Sequence, residues 1–162
     1  MNPLKPLMLA DPRLTLAVAE SMSCGQVQAR IGAISGASEF FLGGITTYSI
    51  EQKVRHLGVN RAAAKKVNSV SVEIAEQMAA GVCRLFGSDL GIATTGYAEA
   101  APAEKVAEPF AWWALVRMHK GRVVHRRHGR IECPGESRGD VQAIVAEAAV
   151  AELVEYLREL RG

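Results

Sequence analysis

Short apolar runs alternate along the chain with polar stretches punctuated by glycine. Leu14 to Ala19 (LTLAVA) is apolar and partly β-branched, and predicts a buried strand. It runs into the small, polar Glu20-Ser21-Met22-Ser23-Cys24-Gly25 and then into QVQARIGAI, which predicts a helix. Phe40 to Ser49 predicts a second strand with a weak point at Gly43-Gly44, and Glu51 to Leu57 a short helix closed by Gly58. The clearest helix of the first half is Ser71 to Phe86. Ser71 can cap it, Glu73 suits its first turn, Gly87 lies past its end, and Ile74, Met78, Val82 and Leu85 mark its apolar face. Leu90 to Thr95 predicts a strand ending at Gly96, followed by a loop over Tyr97 to Pro109 rich in Ala, Glu and Pro. Phe110 to Met118 and Arg122 to Ile131 predict a β-hairpin turning at Lys120-Gly121. A long amphipathic helix, Arg138 to Leu160, ends the chain, with Val141, Ile144, Val145, Ala148, Leu153, Leu157 and Leu160 on its buried face.

Strands separated by helices, together with one hairpin, predict a three-layer α/β/α fold whose mixed sheet includes the hairpin. No internal repeat or linker divides the chain, so residues 1–162 are expected to form one domain, with 1–12 as an extended N-terminal segment.

Composition narrows the function classes. No apolar run reaches the roughly 20 residues a spanning helix needs, and the N-terminus (MNPLKPLMLADPRLTL) lacks the apolar stretch of a signal peptide. Cys24, Cys83 and Cys133 are far apart and form no paired spacing, which points to the reducing cytoplasm. Of the histidines, His125 and His128 alone are close, but on a strand an i, i+3 pair faces opposite ways, so no metal site is expected. The formal charge of +2 does not advertise a polyanionic partner.

The stretch after the first strand carries the chemistry. A serine between a buried strand and a helix start, here Ser21, either caps the helix or is placed as a nucleophile, and both readings are open. Cys24 also has two readings, a small buried cysteine or a thiolate favoured by the helix N-terminus.

AESMSCG (19–25) resembles the AESCTGG signature of the CinA C-terminal domain family. GASEFFLGGITTYSIEQKVRHLGV (36–59) is similar to that family's GAS…FLGG…YS…K…LGV, and VNSVSVEIAEQMAAGV (67–82) to its GAVSEEVAREMAEG. LGIATTGYA (90–98) is similar to IAVTGIAGP, and PGESRGDV (134–141) to the GDR-containing start of the last helix. The five pieces keep their order over nearly the whole chain. The resemblance implies an amidohydrolase that converts nicotinamide mononucleotide to nicotinic acid mononucleotide and ammonia, without a cofactor. It implies Ser21 as nucleophile, Lys53 as base and Tyr48 as an orienting or proton-relaying group. A lysine base must be neutral, so its pKa must fall from about 10.4, which burial favours. Backbone N–H groups around Ser23, Cys24 and Gly25 would hold the oxyanion, Thr95 and Gly96 would line the pocket, and Arg138 would take the substrate phosphate. Residue by residue, the plainer alternatives are a solvated lysine, a half-buried tyrosine and a surface arginine.

The chain departs from the family in three places. Met22-Ser23-Cys24-Gly25 replaces Cys-Thr-Gly-Gly, putting Cys24 where a positive φ would favour glycine. The loop from Ala98 to Phe110 has lost every glycine of AGPGGGTPEKPVG, and its Glu99, Glu104 and Glu108 repel phosphate if they point inward. Gln142 stands where a second arginine is common. These changes leave a second reading, a catalytically degenerate paralogue that binds another nucleotide or acts as an oligomeric interaction protein. For partners, the expectation is a small nucleotide and a homodimer, with the apolar FAWWALV strand as a face for association, and neither membrane nor nucleic acid. The basic strand at 122–130 has no interleaved aromatics of the kind that stack on single strands, and reads as an edge protected by charge.

Overall fold

A computed structural model describes residues 2–162. The elements are α1 (Leu4–Leu9), β1 (Leu16–Glu20), α2 (Gln26–Gly32), β2 (Phe41–Thr46), α3 (Ile50–Leu57), α4 (Arg61–Lys66), α5 (Val72–Phe86), β3 (Leu90–Tyr97), β4 (Phe110–His119), β5 (Arg122–Glu132) and α6 (Arg138–Arg161). The strands form one mixed sheet in the order β2-β1-β3-β4-β5, parallel across β2-β1-β3 and antiparallel across β3-β4-β5.

Strand alternation sorts side chains onto the two faces and so builds three layers. Leu16, Val18, Leu90, Ile92, Trp113 and Leu115 pack with α1, α2 and α6. Ala17, Ala19, Ala93, Ala114 and Val116 pack on the other face with α3, α4 and α5. That second face is built of small residues because α5 lies close to it. A Cβ at Gly91 would come within 2.2 Å of the Ala79 carbonyl oxygen, so only glycine fits there.

Several expectations are corrected. The segment 1–12 is not extended throughout its described part, because α1 forms at Leu4–Leu9 and buries Leu4 and Met8 one turn apart. Pro3 sits at its N-cap and Pro6 in its first turn, where a missing N–H costs little. On α6 the buried stripe runs through Ala146, Ala149 and Val154, while Ile144 is exposed; Leu85 of α5 is exposed too. The FAWWALV strand is β4, an interior strand whose Ala111 and Trp113 to Val116 belong to the core, so it offers no apolar face to a second copy. His125 stacks on Tyr156 of α6, and His128 bonds Glu76 of α5, on opposite faces of the sheet as their spacing requires.

Register places the site. Glu20 pairs with Thr46 on one side and Thr94 on the other, so the residues just beyond emerge together at the carboxyl ends of the parallel strands. The chain leaves β1 for α2 on the α6 face and leaves β2 for α3 on the α5 face. Such divergence opens a crevice at the strand ends.

Candidate active site

A cavity of about 590 Å3 occupies that crevice, with Ser21, Lys53, Ser69, Thr95, Glu99 and Arg138 among its lining residues. Ser21 is the first residue after β1. Its N–H donates to the Thr94 carbonyl at 3.1 Å, extending the sheet by one bond and fixing the serine's direction. Lys53 projects from α3, whose entry is held by the Ser49 side chain accepting from the Gln52 N–H. The Lys53 side chain is only 2 % exposed, and its Nζ donates to Ser21 Oγ and to the Tyr48 carbonyl, each at 2.9 Å. Burial is the cause that moves its pKa, from an ordinary 10.5 down to about 8. The pair thus joins a serine hydroxyl, 7 % exposed, to an amine whose neutral form is accessible near neutral pH.

The turn after Ser21 differs from expectation. The α2 N-terminus does not offer its N–H groups to the cavity, because Glu20 takes them. Its carboxylate is fully buried and accepts from the N–H groups of Val27 at 2.8 Å and Gln28 at 3.0 Å, from Ser23 Oγ at 2.7 Å and from Gln28 Nε2 at 2.9 Å. Ser23 Oγ also lies 2.7 Å from Thr94 Oγ1 and so points inward. Cys24 is exposed, and neither it, Ser23 nor Gly25 lines the cavity. Cys24 does adopt a positive φ of 50° and Gly25 one of 92°, the conformations that favour the family's paired glycines. Met22 lines the cavity, and its carbonyl is held from α6 by Gln142 Nε2 at 2.9 Å.

The rim is built by Tyr48, Glu99 and Arg138. The Tyr48 phenol accepts from Arg138 Nη2 at 2.7 Å, and it is the Tyr48 backbone carbonyl, rather than the hydroxyl, that meets Lys53. Arg138 Nη1 donates to Glu99 Oε1 at 2.8 Å. Of the three loop carboxylates, Glu99 alone lines the cavity; Glu108 accepts from the Gly135 N–H instead. Thr95 Oγ1 donates to the Ser69 carbonyl at 2.7 Å, which spends its proton on an inner wall. Asn68 and Ser69 have φ of 48° and 60°, and Ser69 Oγ, though buried, has no hydrogen-bond partner among the described residues. Left-handed backbone at two successive non-glycine residues is strain of the kind that gathers at ligand sites. Sequence reasoning missed Glu20 and Ser69. A carboxylate closing an otherwise apolar strand was the available signal for Glu20, whereas Ser69 left none.

On β5, Arg126, Arg127, His128 and Arg130 have carboxylate partners. Arg127 pairs with Glu159 at 2.8 Å and Glu152 at 3.6 Å, His128 with Glu76 at 2.9 Å, and Arg130 with Glu132.

Fold and site together define a three-layer α/β protein with a serine–lysine pair at the carboxyl ends of its parallel strands. Residues 6–157 match the CinA C-terminal domain, and the chain belongs to that family. It is 32 % identical over 157 residues to a CinA-like protein of Chlorobium limicola, covering 96 % of this chain and 36 % of that one. It is 45 % identical over 92 residues to a CinA-like protein of Citrifermentans bemidjiense, covering 57 % and 22 %. The chain thus spans between about a fifth and about a third of the length of these relatives. Among solved structures, it matches a competence-damaged protein (CinA) superfamily protein from Enterobacter cloacae with a TM-score of 0.84 at 26 % identity, over 96 % of this chain and 88 % of that one. A competence or damage-inducible protein from Enterobacter asburiae gives a TM-score of 0.83 at 27 % identity, over 96 % of each. Among the described residues no helix is long and apolar enough to cross a membrane.

Proposed function

We propose that the chain is a serine–lysine amidohydrolase acting on the carboxamide of a pyridine nucleotide, with nicotinamide mononucleotide as the substrate its family resemblance names. The observation that carries this reading is the 2.9 Å contact between Lys53 Nζ and Ser21 Oγ, made by a lysine buried enough to lose its proton near pH 8.

In the first step neutral Lys53 takes the Ser21 hydroxyl proton as Oγ bonds to the carboxamide carbon. The Lys53 ammonium then delivers that proton to the amide nitrogen. The C–N bond breaks, ammonia departs and an acyl ester remains on Ser21. A water attacks the ester and passes a proton to Lys53, which returns it to Oγ as the carboxylic acid is released. The Tyr48 carbonyl holds the amine on the serine throughout. Cys24, exposed and outside the cavity, takes no part.

The test incubates nicotinamide mononucleotide with the unmodified protein and with Ser21→Ala and follows nicotinic acid mononucleotide by chromatography. Turnover by the unmodified protein and a loss of about a thousandfold or more in the variant are expected. No product from the unmodified protein would contradict the reading and favour a paralogue with another ligand.

A further inference from the structure

A phosphate monoester carries nearly two negative charges at neutral pH, and proteins hold it with guanidinium forks and unpaired N–H groups at helix starts. At this site the one guanidinium and the start of α2 already have partners within the protein. Arg138 is the one arginine lining the cavity among the described residues, and each of its terminal nitrogens gives one N–H to a protein partner, Nη1 to Glu99 Oε1 and Nη2 to Tyr48 Oη. The N–H groups of Val27 and Gln28 are spent on the buried Glu20 carboxylate. The cavity's lining carboxylates balance its cations. Its charged lining is Glu51, Lys53, Glu99 and Arg138, of which Glu99 pairs with Arg138 and Glu51 with Arg61 outside the lining. Once Lys53 is neutral, as its role as base requires, the remaining cation at the rim is Arg138, and Glu99 already faces it.

We propose that Glu99 is a specificity-determining residue of this cavity: its carboxylate occupies the Arg138 guanidinium and turns the site toward carboxamides that carry no phosphate. The proposal rests on the amidohydrolase reading and names the substrate class within it. The nucleoside, equal to nicotinamide mononucleotide in all but the phosphate, is hydrolysed at least as well as the nucleotide. The pair lies at a solvent-exposed rim, with side-chain exposures of 46 % for Arg138 and 64 % for Glu99, so its effect on a phosphate is moderate and salt-sensitive. Removing the carboxylate's charge is expected to favour the nucleotide by about fivefold to tenfold.

The experiment measures kcat/KM of the whole chain for the nucleotide and the nucleoside, in unmodified protein and in Glu99→Gln, at low salt and at about 0.5 M salt. In parallel, calorimetry gives the Kd of both ligands for Ser21→Ala, with and without Glu99→Gln. The expected result is a nucleoside-to-nucleotide ratio of at least about one in the unmodified protein. That ratio should fall about fivefold to tenfold in Glu99→Gln, by an amount that shrinks at high salt. A merely structural effect of the substitution would change both ligands together and leave the ratio in place. A tenfold preference for the nucleotide in unmodified protein, or a ratio that Glu99→Gln does not move, overturns the proposal. Selective binding without any turnover supports it while removing the hydrolytic reading, and binding of neither ligand overturns both.

Discussion

Lys53 is a charged side chain held in the protein at a cost. With its pKa at about 8 folded and 10.5 unfolded, the buried ammonium is destabilising by on the order of 3 kcal/mol below pH 8. Both states are protonated there, and only the folded one holds the charge out of water. Between pH 8 and 10.5 the folded state releases the proton that the unfolded state keeps, so the penalty fades as pH rises. Lys53→Met removes the charge but leaves Ser21 Oγ and the Tyr48 carbonyl without this donor, which offsets part of the gain. The variant is expected to be more stable than the parent by about 1–2 kcal/mol at pH 7 in urea unfolding, with a margin that narrows steadily from pH 8 to 10.5. A margin that widens over that range would show that the lysine is not buried as a cation. The residue that costs stability is the one the proposed chemistry needs.

Glu20 shows how one side chain can govern an element. Helix α2 is seven residues long, and its N-cap is Gly25, which has no side chain to cap with. The capping acceptor comes instead from the end of β1, as the Glu20 carboxylate on the N–H groups of Val27 and Gln28. Strand, turn and helix are thereby locked in one geometry, and Ser21 sits in the locked turn. Glu20→Ala is expected to lower stability by about 3 kcal/mol, because two helix N–H groups and the Ser23 hydroxyl lose a buried acceptor. Glu20→Gln, which keeps one acceptor oxygen, should cost roughly half as much; equal losses in the two variants would mean that packing, not hydrogen bonding, holds the turn. Elements with a strong apolar signal were legible in the sequence. Val72–Phe86 and the hairpin were read with ends within a residue or two of those observed, because caps and apolar periodicity agree there. Helix α4 (Arg61–Lys66) was not, since it is highly charged and buries only Ala64. Helix α1 was hidden by its prolines, which break helices in the interior but are tolerated at a start.

At the scale of the whole molecule, the site exists because three segments distant in sequence meet at one end of the sheet. Ser21 and Lys53 are 32 positions apart, and Arg138 reaches Tyr48 across 90. No local pattern could place them together; the family resemblance named the pair, and the sheet register brings its members into contact. The resemblance named Tyr48 without showing that the carbonyl, rather than the phenol, meets Lys53, because that contact depends on which way each group turns. It also could not show that Glu99, out of three loop acids, is the one that reaches Arg138. The proposed activity turns on a neutral Lys53 beside Ser21, and the pH dependence of hydrolysis tests that most directly. Measured from pH 6.5 to 9.5, kcat/KM for nicotinamide mononucleotide should rise about tenfold per pH unit, bend near pH 8 and then level off. A flat profile, or one that falls through pH 8, would contradict Lys53 as the base.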